Sequence, residues 1–332
     1  MESRYSRRTF GRDLIALLCA VPFVAASARQ VRRARVRRIG FIVGAGNESL
    51  VTAFNSELQR LGYTDGTDIV IETRVPRPNT SDLQRIAAEL AHMDVQLIVA
   101  GALSIALEVR TANSAMPMVI ATCPGMISNG FAESFEHPGR NVTGIDELPP
   151  GVMAKRLTLL RIAAPRVSSV ALLSTTPGRG GHESQLADAE QTARVLGIRV
   201  KAYRAASLAE LQNALAAIAD DGMDGLLNFQ GGLSLANRQL IVDFAAEHRL
   251  PAIYQATLFA EAGGLMSWAP DLEDQYTMAA RYVDKILKGA NPGDLPIMYP
   301  PKYYLTIHAD AAKRLGLTLS SALLAQTDRV LP

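Results

Sequence analysis

Short continuous runs of apolar residues alternate along this chain with segments in which apolar positions recur every three or four residues. Continuous apolar runs predict strands buried on both faces of a parallel sheet, whereas the second pattern predicts amphipathic helices. One strand and one helix together take about 25 to 30 residues, which is typical of βαβ units. The strands predicted in the first half are Ile39–Val43, Ile69–Thr73, Leu97–Ala100, Met118–Ala121 and Val142–Ile145.

The same alternation restarts after residue 150 with a second set of short strands. This repeated rhythm indicates an architectural duplication, in which each half forms a three-layer sandwich. The predicted fold class is therefore α/β, with two doubly wound parallel-sheet lobes joined by hinge strands. The five strands predicted in the second half are Ser169–Leu173, Arg199–Tyr203, Gly225–Phe229, Ala252–Tyr254 and Leu265–Trp268.

Helices are predicted between these strands and once more after the last of them. The final helix and a later extended stretch at Tyr303–His308 exceed what the second lobe needs, so we expect the chain to cross back to the first lobe and return. Crossing back gives three hinge strands, near residues 146–150, 269–272 and 298–303, where prolines fit an extended connection. The predicted helices are Leu50–Leu61, Ser81–His92, Ser104–Ala112, Ala154–Ala163, Glu183–Leu196, Leu208–Ala219, Asn237–His248 and Leu272–Leu287.

These connections set the predicted domain bounds. Lobe one takes residues 39–146 plus about 270–300, and lobe two takes residues 147–269 plus about 301–332, a division that agrees with ordinary domain sizes. Two lobes of this kind imply a cleft between them.

The first 28 residues have the layout of a signal peptide, with a basic start, an apolar run at Leu14–Ala26 and small residues up to Ala28. Within them Ser6–Phe10 resembles the twin-arginine export motif, which predicts a periplasmic protein. A retained membrane anchor and lipidation of Cys19 are the alternatives. Residues 29–38 are rich in arginine and are predicted to form a solvated basic linker.

Composition narrows the class of protein. Hydrophobic residues make up 48% and charged residues 20% of the 332 residues, which is ordinary for a globular protein. Beyond the basic linker acidic residues outnumber basic ones, so no nucleic-acid partner is expected. Cys123 is the sole cysteine outside the predicted signal peptide, so the mature chain is predicted to have no internal disulfide.

The sequence offers little for catalysis. The five histidines are widely separated, so no metal site is expected, and neither a nucleophile elbow nor a Walker loop occurs. Gly44–Ser49 follows the first strand, with Glu72 in the place of a ribose-binding acid, but it is one glycine short of the dinucleotide motif. An exported nicotinamide-dependent oxidoreductase is therefore a remote alternative, and no cofactor is expected.

Ligands of open parallel sheets bind beyond the carboxyl ends of the strands, where loops and helix N-termini meet. Most residues at these places are also ordinary turn or cap residues, and Trp268 either stacks on a ring of the ligand or fills a hinge cavity. Helix N-termini favour anions, so a ligand carboxylate suits the loops of lobe one. The candidate ligand-binding residues are Gly46, Asn47, Gly101, Ser104, Thr122, Cys123, Thr175, Gln230, Gln255, Trp268 and Asp271.

Several longer motifs resemble the ABC-transporter substrate-binding family that includes the tryptophan/tyrosine-type binding proteins. The resemblance runs from about Arg38 to the C-terminus and implies the type I periplasmic-binding fold, whose lobes close over a solute by a population shift. It also implies a small-molecule solute and ABC permease membrane subunits as partners. The mature chain is expected to be monomeric and to perform no catalysis. The motifs are Leu58–Tyr63, His137–Gly144, Lys155–Leu157, Glu261–Ser267, Asp294–Pro296 and Ala311–Leu317.

One position departs from the family pattern. Amino-acid binders of this kind usually offer a lobe-two carboxylate for the α-ammonium group, whereas Gln230 follows the third strand of this lobe. A neutral amide supplies no countercharge, which favours an aromatic or aliphatic carboxylate unless Asp271 pairs with an amine. A periplasmic ligand sensor that reports to a membrane receptor is the alternative function on the same fold.

Overall fold

The computed structural model describes residues 36–77, 80–175, 180–229 and 231–332. The predicted signal peptide, most of the basic linker and Gln230 lie outside the described residues. None of the described helices is both long enough and apolar enough to cross a membrane.

The first sheet has five parallel strands in the order β2-β1-β3-β4-β5. Residues of β3, β4 and β5 are buried throughout, as expected for strands covered by helices on both faces. Its strands are β1 (Arg37–Ile42), β2 (Ile69–Arg74), β3 (Leu97–Ala100), β4 (Met118–Cys123) and β5 (Val142–Asp146). The helices between them are α1 (Glu48–Arg60), α2 (Thr80–His92) and α3 (Leu103–Ala112).

The second sheet has seven strands in the order β12-β11-β10-β9-β8-β6-β7. All neighbours run parallel except β10 and β11, which are antiparallel because the chain re-enters this sheet from the opposite direction. The strands are β6 (Ser169–Ser174), β7 (Arg199–Arg204), β8 (Gly225–Asn228), β9 (Ala252–Tyr254), β10 (Met266–Pro270), β11 (Tyr303–His308) and β12 (Arg329–Leu331).

Helices cover both faces of the second sheet. The longer ones are α4 (Val152–Ala163), α5 (Gly180–Leu196), α6 (Leu208–Asp220) and α8 (Arg238–Glu247). The shorter ones are α7 (Gly232–Ala236), α9 (Thr257–Glu261), α11 (Ala309–Arg314) and α12 (Ser321–Leu324).

The α/β fold with two parallel-sheet lobes is confirmed. All five strands predicted in the second half are present and the extended stretch Tyr303–His308 is β11, but β12 was not predicted. Strand β12 has three residues and is mostly exposed, so it lacks the apolar run that marks a buried strand. The short helices were not predicted either, since four to six residues are too few to display a helical period.

Helix α10 (Leu272–Leu287) lies between β10 and β11 of the second sheet along the chain, but it packs against the first sheet. Its Tyr276 ring lies 6.0 Å from the Phe41 ring of β1. Arg281 Nε donates a hydrogen bond of 2.7 Å to Glu57 of α1, and Asp284 accepts one of 3.0 Å from Tyr63. The apolar side of this helix thereby completes the core of the first lobe.

Three connections carry the chain between the two sheets, at residues 147–151, 270–271 and 298–302. The third connection pairs with β5, where the Asp146 amide donates to the Met298 carbonyl at 3.0 Å and the Met298 amide donates to the Gly144 carbonyl at 3.2 Å. After β11 the chain remains with the second sheet. These crossing segments place the carboxyl ends of both sheets next to each other.

Candidate functional site

A small cavity lies where the two lobes meet, at the carboxyl ends of strands from both sheets. The first lobe supplies the residue that follows β4, and the connection after β5 supplies two more. The second lobe supplies one residue each from α4, the end of β9 and the end of β10. The lining residues are Pro124, Glu147, Leu148, Arg156, Gln255 and Pro270.

Arg156 is the cation of this cavity. It lies on the buried side of α4 and only 2% of its surface is exposed. Its Nε donates a hydrogen bond of 3.2 Å to the Trp268 carbonyl, and Nη1 lies 3.7 Å from the Met153 sulfur. Burial lowers its pKa to about 10, an effect that Tyr303 and Glu147 partly offset, so the guanidinium stays charged at neutral pH.

No carboxylate among the described residues lies within 4.0 Å of the Arg156 guanidinium. Buried arginines are rare unless they are paired, because removing a charge from water without a counterion costs several kcal/mol, on the order of 3 or more. The cavity therefore presents a positive charge with hydrogen-bonding capacity that the protein leaves unused.

Glu147 is the anion of the cavity. Burial raises its pKa to about 7, against a smaller lowering by the hydrogen bond from Gln275 and by the charge of Arg156. Gln275 Nε2 donates to Glu147 Oε1 at 3.1 Å. Near neutral pH this carboxyl group is therefore close to its midpoint between the protonated and ionised forms.

The backbone around Glu147 is held firmly from several sides. The neighbouring Asp146 carboxylate accepts hydrogen bonds from the amides of Gly125, Met126 and Leu148, at 3.0, 2.7 and 2.9 Å. Burial raises the Asp146 pKa, and these three hydrogen bonds oppose that effect. Tyr303 of β11 donates to the Glu147 carbonyl at 2.9 Å, which ties the connection to the second sheet.

Lobe two also places buried neutral polar groups at the ends of its strands. Gln255 is 6% exposed and its Nε2 donates to Gln185 of α5 at 2.7 Å. Thr175 Oγ1 and both amide atoms of Asn228 are buried and have no hydrogen-bond partner in the described part of the chain. Buried polar groups normally have hydrogen-bond partners, so these unpaired atoms are exceptions that can form hydrogen bonds to a bound molecule.

None of the residues predicted in lobe one lines this cavity. Gly46 is exposed in its turn, and the Asn47 amide donates to the Gly44 carbonyl at 3.0 Å. The Gly101 carbonyl accepts hydrogen bonds of 3.0 Å from both Thr122 and Tyr276. Ser104 is exposed on α3.

Cys123, the last residue of β4, is fully buried, and burial raises the pKa of its thiol well above the usual range. Its carbonyl accepts the Glu147 amide at 2.9 Å. The structure thus places Cys123 directly behind the wall of the cavity, with an unreactive thiol.

Of the residues predicted in lobe two, Gln255 lines the cavity. Trp268 lies beneath Arg156, with the guanidinium carbon 5.9 Å from its ring centre, and its ring stacks on Tyr303 at 4.6 Å. Asp271 is exposed and caps α10, accepting from the amides of Glu273 at 2.7 Å and Asp274 at 3.3 Å.

Glu147 and Arg156 were not among the predicted residues. A signal for Arg156 was present, because it occupies an apolar-face position of a helix whose neighbours Met153, Leu157 and Leu160 are core residues. The Lys155–Leu157 motif, which contains Arg156, entered the sequence analysis only as part of the family resemblance. Glu147 had no comparable signal, since its burial follows from the meeting of three connections. The described residues contain no cluster of three or more His, Cys, Asp or Glu side chains that could hold a metal ion.

The comparisons agree on one family and one fold. Residues 36–331 match the family described as ABC transporter substrate binding protein. A tyrosine-binding protein from Clostridioides difficile is 22% identical over 269 residues, which cover 81% of this chain and 77% of that protein.

The solved structures that share the fold include the following two. One is an ABC domain in complex with L-Trp from Streptococcus pneumoniae, with a TM-score of 0.83 and 21% identity over 90% of this chain and all of that one. The other is a ligand-free, open structure of a substrate binding protein with adhesive properties from Clostridium difficile, with a TM-score of 0.68 and 22% identity over 89% of this chain and 99% of that one.

Proposed function

The chain belongs to the family of ABC transporter substrate binding proteins, and from that premise we propose that it captures a small organic carboxylate in the cleft between its two lobes. Such a protein works by binding and release, and it performs no chemistry on the solute. The amino acids and the aromatic or aliphatic carboxylates are the solute classes that this proposal covers.

The observation that carries the proposal is the buried guanidinium of Arg156. It faces the cavity, has no carboxylate partner among the described residues and retains its charge. Arginine binds carboxylates through two parallel hydrogen bonds, which are stronger than neutral ones and fix the orientation of the ligand. A solute carboxylate would supply the missing countercharge.

Closure of the lobes follows from the same geometry. Pro124 belongs to the first lobe whereas Arg156 and Gln255 belong to the second, so a solute in the cavity contacts both lobes only when they are together. Contacts made in the closed state alone stabilise that state and shift the population toward it. Greater similarity to the L-Trp complex than to the open relative supports the interpretation that this structure is the closed form.

The proposed setting is the periplasm, reached through the signal peptide of residues 1–28, with the loaded protein delivered to ABC permease membrane subunits. Export is supported by the twin-arginine-like motif and by the basic, apolar and small-residue order of the N-terminus.

A thermal-shift screen followed by isothermal titration calorimetry tests the proposal. We expect at least one of benzoate, phenylacetate, L-tyrosine and L-tryptophan to raise the melting temperature by mass action. The neutral amide of the same compound is the matched ligand control and should bind at least about tenfold more weakly, because it lacks the charge that pairs with Arg156. Equal binding of acid and amide, or no binding of any carboxylate, would contradict the proposal.

A further inference from the structure

The cavity contains two opposite charges that do not pair with each other. Arg156 and Glu147 both line it, but no ion pair within 4.0 Å joins them, although each shifts the pKa of the other. In a buried site an arginine and a glutamate that can reach each other normally form hydrogen bonds, because an uncompensated charge there is costly. Their separation leaves the guanidinium available to an outside anion.

The side chain that binds the Glu147 carboxyl group is the neutral amide of Gln275, whose oxygen accepts no hydrogen bond from the described residues. Gln275 Nε2 donates to Glu147 Oε1 at 3.1 Å, while Gln275 Oε1 is buried and has no hydrogen-bond partner among the residues that the structure describes. A carboxylate only accepts hydrogen bonds, whereas a carboxylic acid also donates one. Protonation of Glu147 therefore provides an O–H donor beside an acceptor that lacks one, and the acid and amide can then exchange two hydrogen bonds.

The charges around Glu147 also favour its neutral form once an anion is present. Arg156 is the cation among the groups that act on it, and Asp146 is a second carboxylate. A solute carboxylate beside an ionised Glu147 would place two negative groups around one guanidinium in a low-dielectric cavity, and Asp146 adds a further negative charge that acts on Glu147. The titratable groups facing Glu147 from the surrounding elements are Asp146, Arg156, Tyr276, Tyr303 and Cys123.

We infer that this site binds a carboxylate solute together with one proton, which Glu147 takes up from solvent as the lobes close. Arg156 pairs with the solute carboxylate, and the protonated Glu147 pairs with Gln275. The inference rests on the proposed function and adds to it a requirement for a proton. The site thereby distinguishes anionic solutes by pH as well as by shape.

The sign of the effect follows from linkage. In the protein without solute the Glu147 pKa is about 7. Below about pH 6 this carboxyl group is already protonated, so the dissociation constant of the solute should not change with pH. Above pH 7 each bound anion must bring a proton, and the dissociation constant should rise by up to about tenfold per pH unit. Binding should therefore be tightest under mildly acidic conditions.

Calorimetric titration with benzoate in phosphate and in Tris at pH 8 measures the proton directly, because the two buffers differ in ionisation enthalpy. We expect uptake of about one proton per benzoate in the unaltered protein. The Glu147→Gln variant retains an acceptor for Gln275 and a donor of its own, so it should take up no proton and bind with the same affinity from pH 6 to 8.

Glu190→Gln is the matched control, since Glu190 is an exposed carboxylate on α5 of the same lobe. It should leave both the proton uptake and the pH dependence unchanged. Benzoate binding without proton uptake would overturn this inference while leaving the proposed function intact. Absence of binding by benzoate and by every other carboxylate of the screen would overturn both.

Trp268 provides a second readout that needs no solute. It is the single tryptophan of the chain, it stacks on Tyr303, and Tyr303 donates to the Glu147 carbonyl. Its emission in the protein alone should change with a midpoint near pH 7 in the unaltered protein and stay constant in Glu147→Gln. A transition that persists in Glu147→Gln would assign the titration to another group and contradict the inference.

Discussion

The two sheets differ in how the polar groups at the carboxyl ends of their strands are hydrogen-bonded. In the first sheet the polar groups there are used internally, since Thr122 and Tyr276 both donate to the Gly101 carbonyl. In the second lobe, within the ranges that the structure describes, Arg156 has no carboxylate partner and the Asn228 amide has no hydrogen-bond partner. Strand ends whose polar groups are already hydrogen-bonded contribute shape to a binding site, whereas strand ends with unpaired polar groups contribute affinity and specificity.

This difference indicates that the two lobes have unequal tasks. Among the described residues of the first lobe, Pro124 alone lines the cavity, and it brings no hydrogen-bond donor. Under the proposed function, the second lobe and the hinge recognise the solute, while the first lobe excludes water as the lobes close. Lower dielectric in the closed cavity strengthens the charge interactions made by the second lobe.

Removal of the Arg156 charge should have the largest effect. Arg156→Met keeps a long apolar side chain within the core of α4 but removes the guanidinium. We expect benzoate affinity, measured by calorimetry, to fall by at least about 100-fold, because the solute carboxylate would then be buried without a countercharge.

Lys155→Met is the matched control, since Lys155 is the preceding residue on the same helix and binds Gln326 at 2.9 Å outside the cavity. It removes the same formal charge and should change the affinity by less than about threefold. Similar losses in both variants would mean that net charge attracts the solute and that the site does not recognise it through Arg156.

Gly101→Ala tests the first lobe, where the polar groups at the strand ends are hydrogen-bonded to each other. A Cβ at this position would lie 2.5 Å from Tyr276 Oη and 2.9 Å from the Ile42 carbonyl oxygen. The overlap must displace Tyr276 and weaken its hydrogen bond, so the free energy of unfolding should fall by about 2 kcal/mol. Chemical denaturation measures this change.

Gly232→Ala is the control for that substitution, because a Cβ there meets nothing within 4 Å. Its free energy of unfolding should stay within about 0.5 kcal/mol of the original. A Gly101→Ala protein of normal stability but reduced solute affinity would place Gly101 at the solute and remove the distinction between the lobes.

The pH dependence of stability examines the hinge between the two lobes. The Glu147 pKa is raised from 4.5 to about 7 by burial, so the folded state holds more protons than the unfolded state between these values. The free energy of unfolding, taken relative to Glu147→Gln, should therefore fall by about 2 kcal/mol from pH 5 to pH 8. A difference that rises with pH, or stays flat, would show that Glu147 is ionised throughout.

The fold was predictable because its strands are buried on both faces. Each apolar run from Ile39 to Trp268 became a strand with ends shifted by one or two residues, and Leu272–Leu287 is a helix over the same residues as predicted. Periodicity reports burial, so it fails for elements that are short or exposed. Strand β12 and the short helices belong to that group.

The site was less predictable, for a physical reason. The rule that ligands bind at the carboxyl ends of strands selected Gln255 and the surroundings of Trp268, which do lie at the cavity. It also selected Gly101 and Asp271, which have structural roles here. Arg156 could have been recognised from its position on the apolar face of α4, whereas the placement of Glu147 at the cavity depends on the chain crossings and does not follow from local sequence.

Asp271 offers the last and smallest test. Its carboxylate caps α10 through the amides of Glu273 and Asp274, so Asp271→Ala should lower the free energy of unfolding by about 1 kcal/mol, whereas Asp271→Asn, which can still cap, should lose less than half of that. Neither change should alter benzoate affinity, because the carboxylate is exposed and directed to its own helix. If Asp271→Asn instead weakened L-tryptophan binding but not benzoate binding, Asp271 would be pairing with the amine of the amino acid. The first-lobe side of the hinge would then take part in recognition, and the unequal division between the lobes would have to be abandoned.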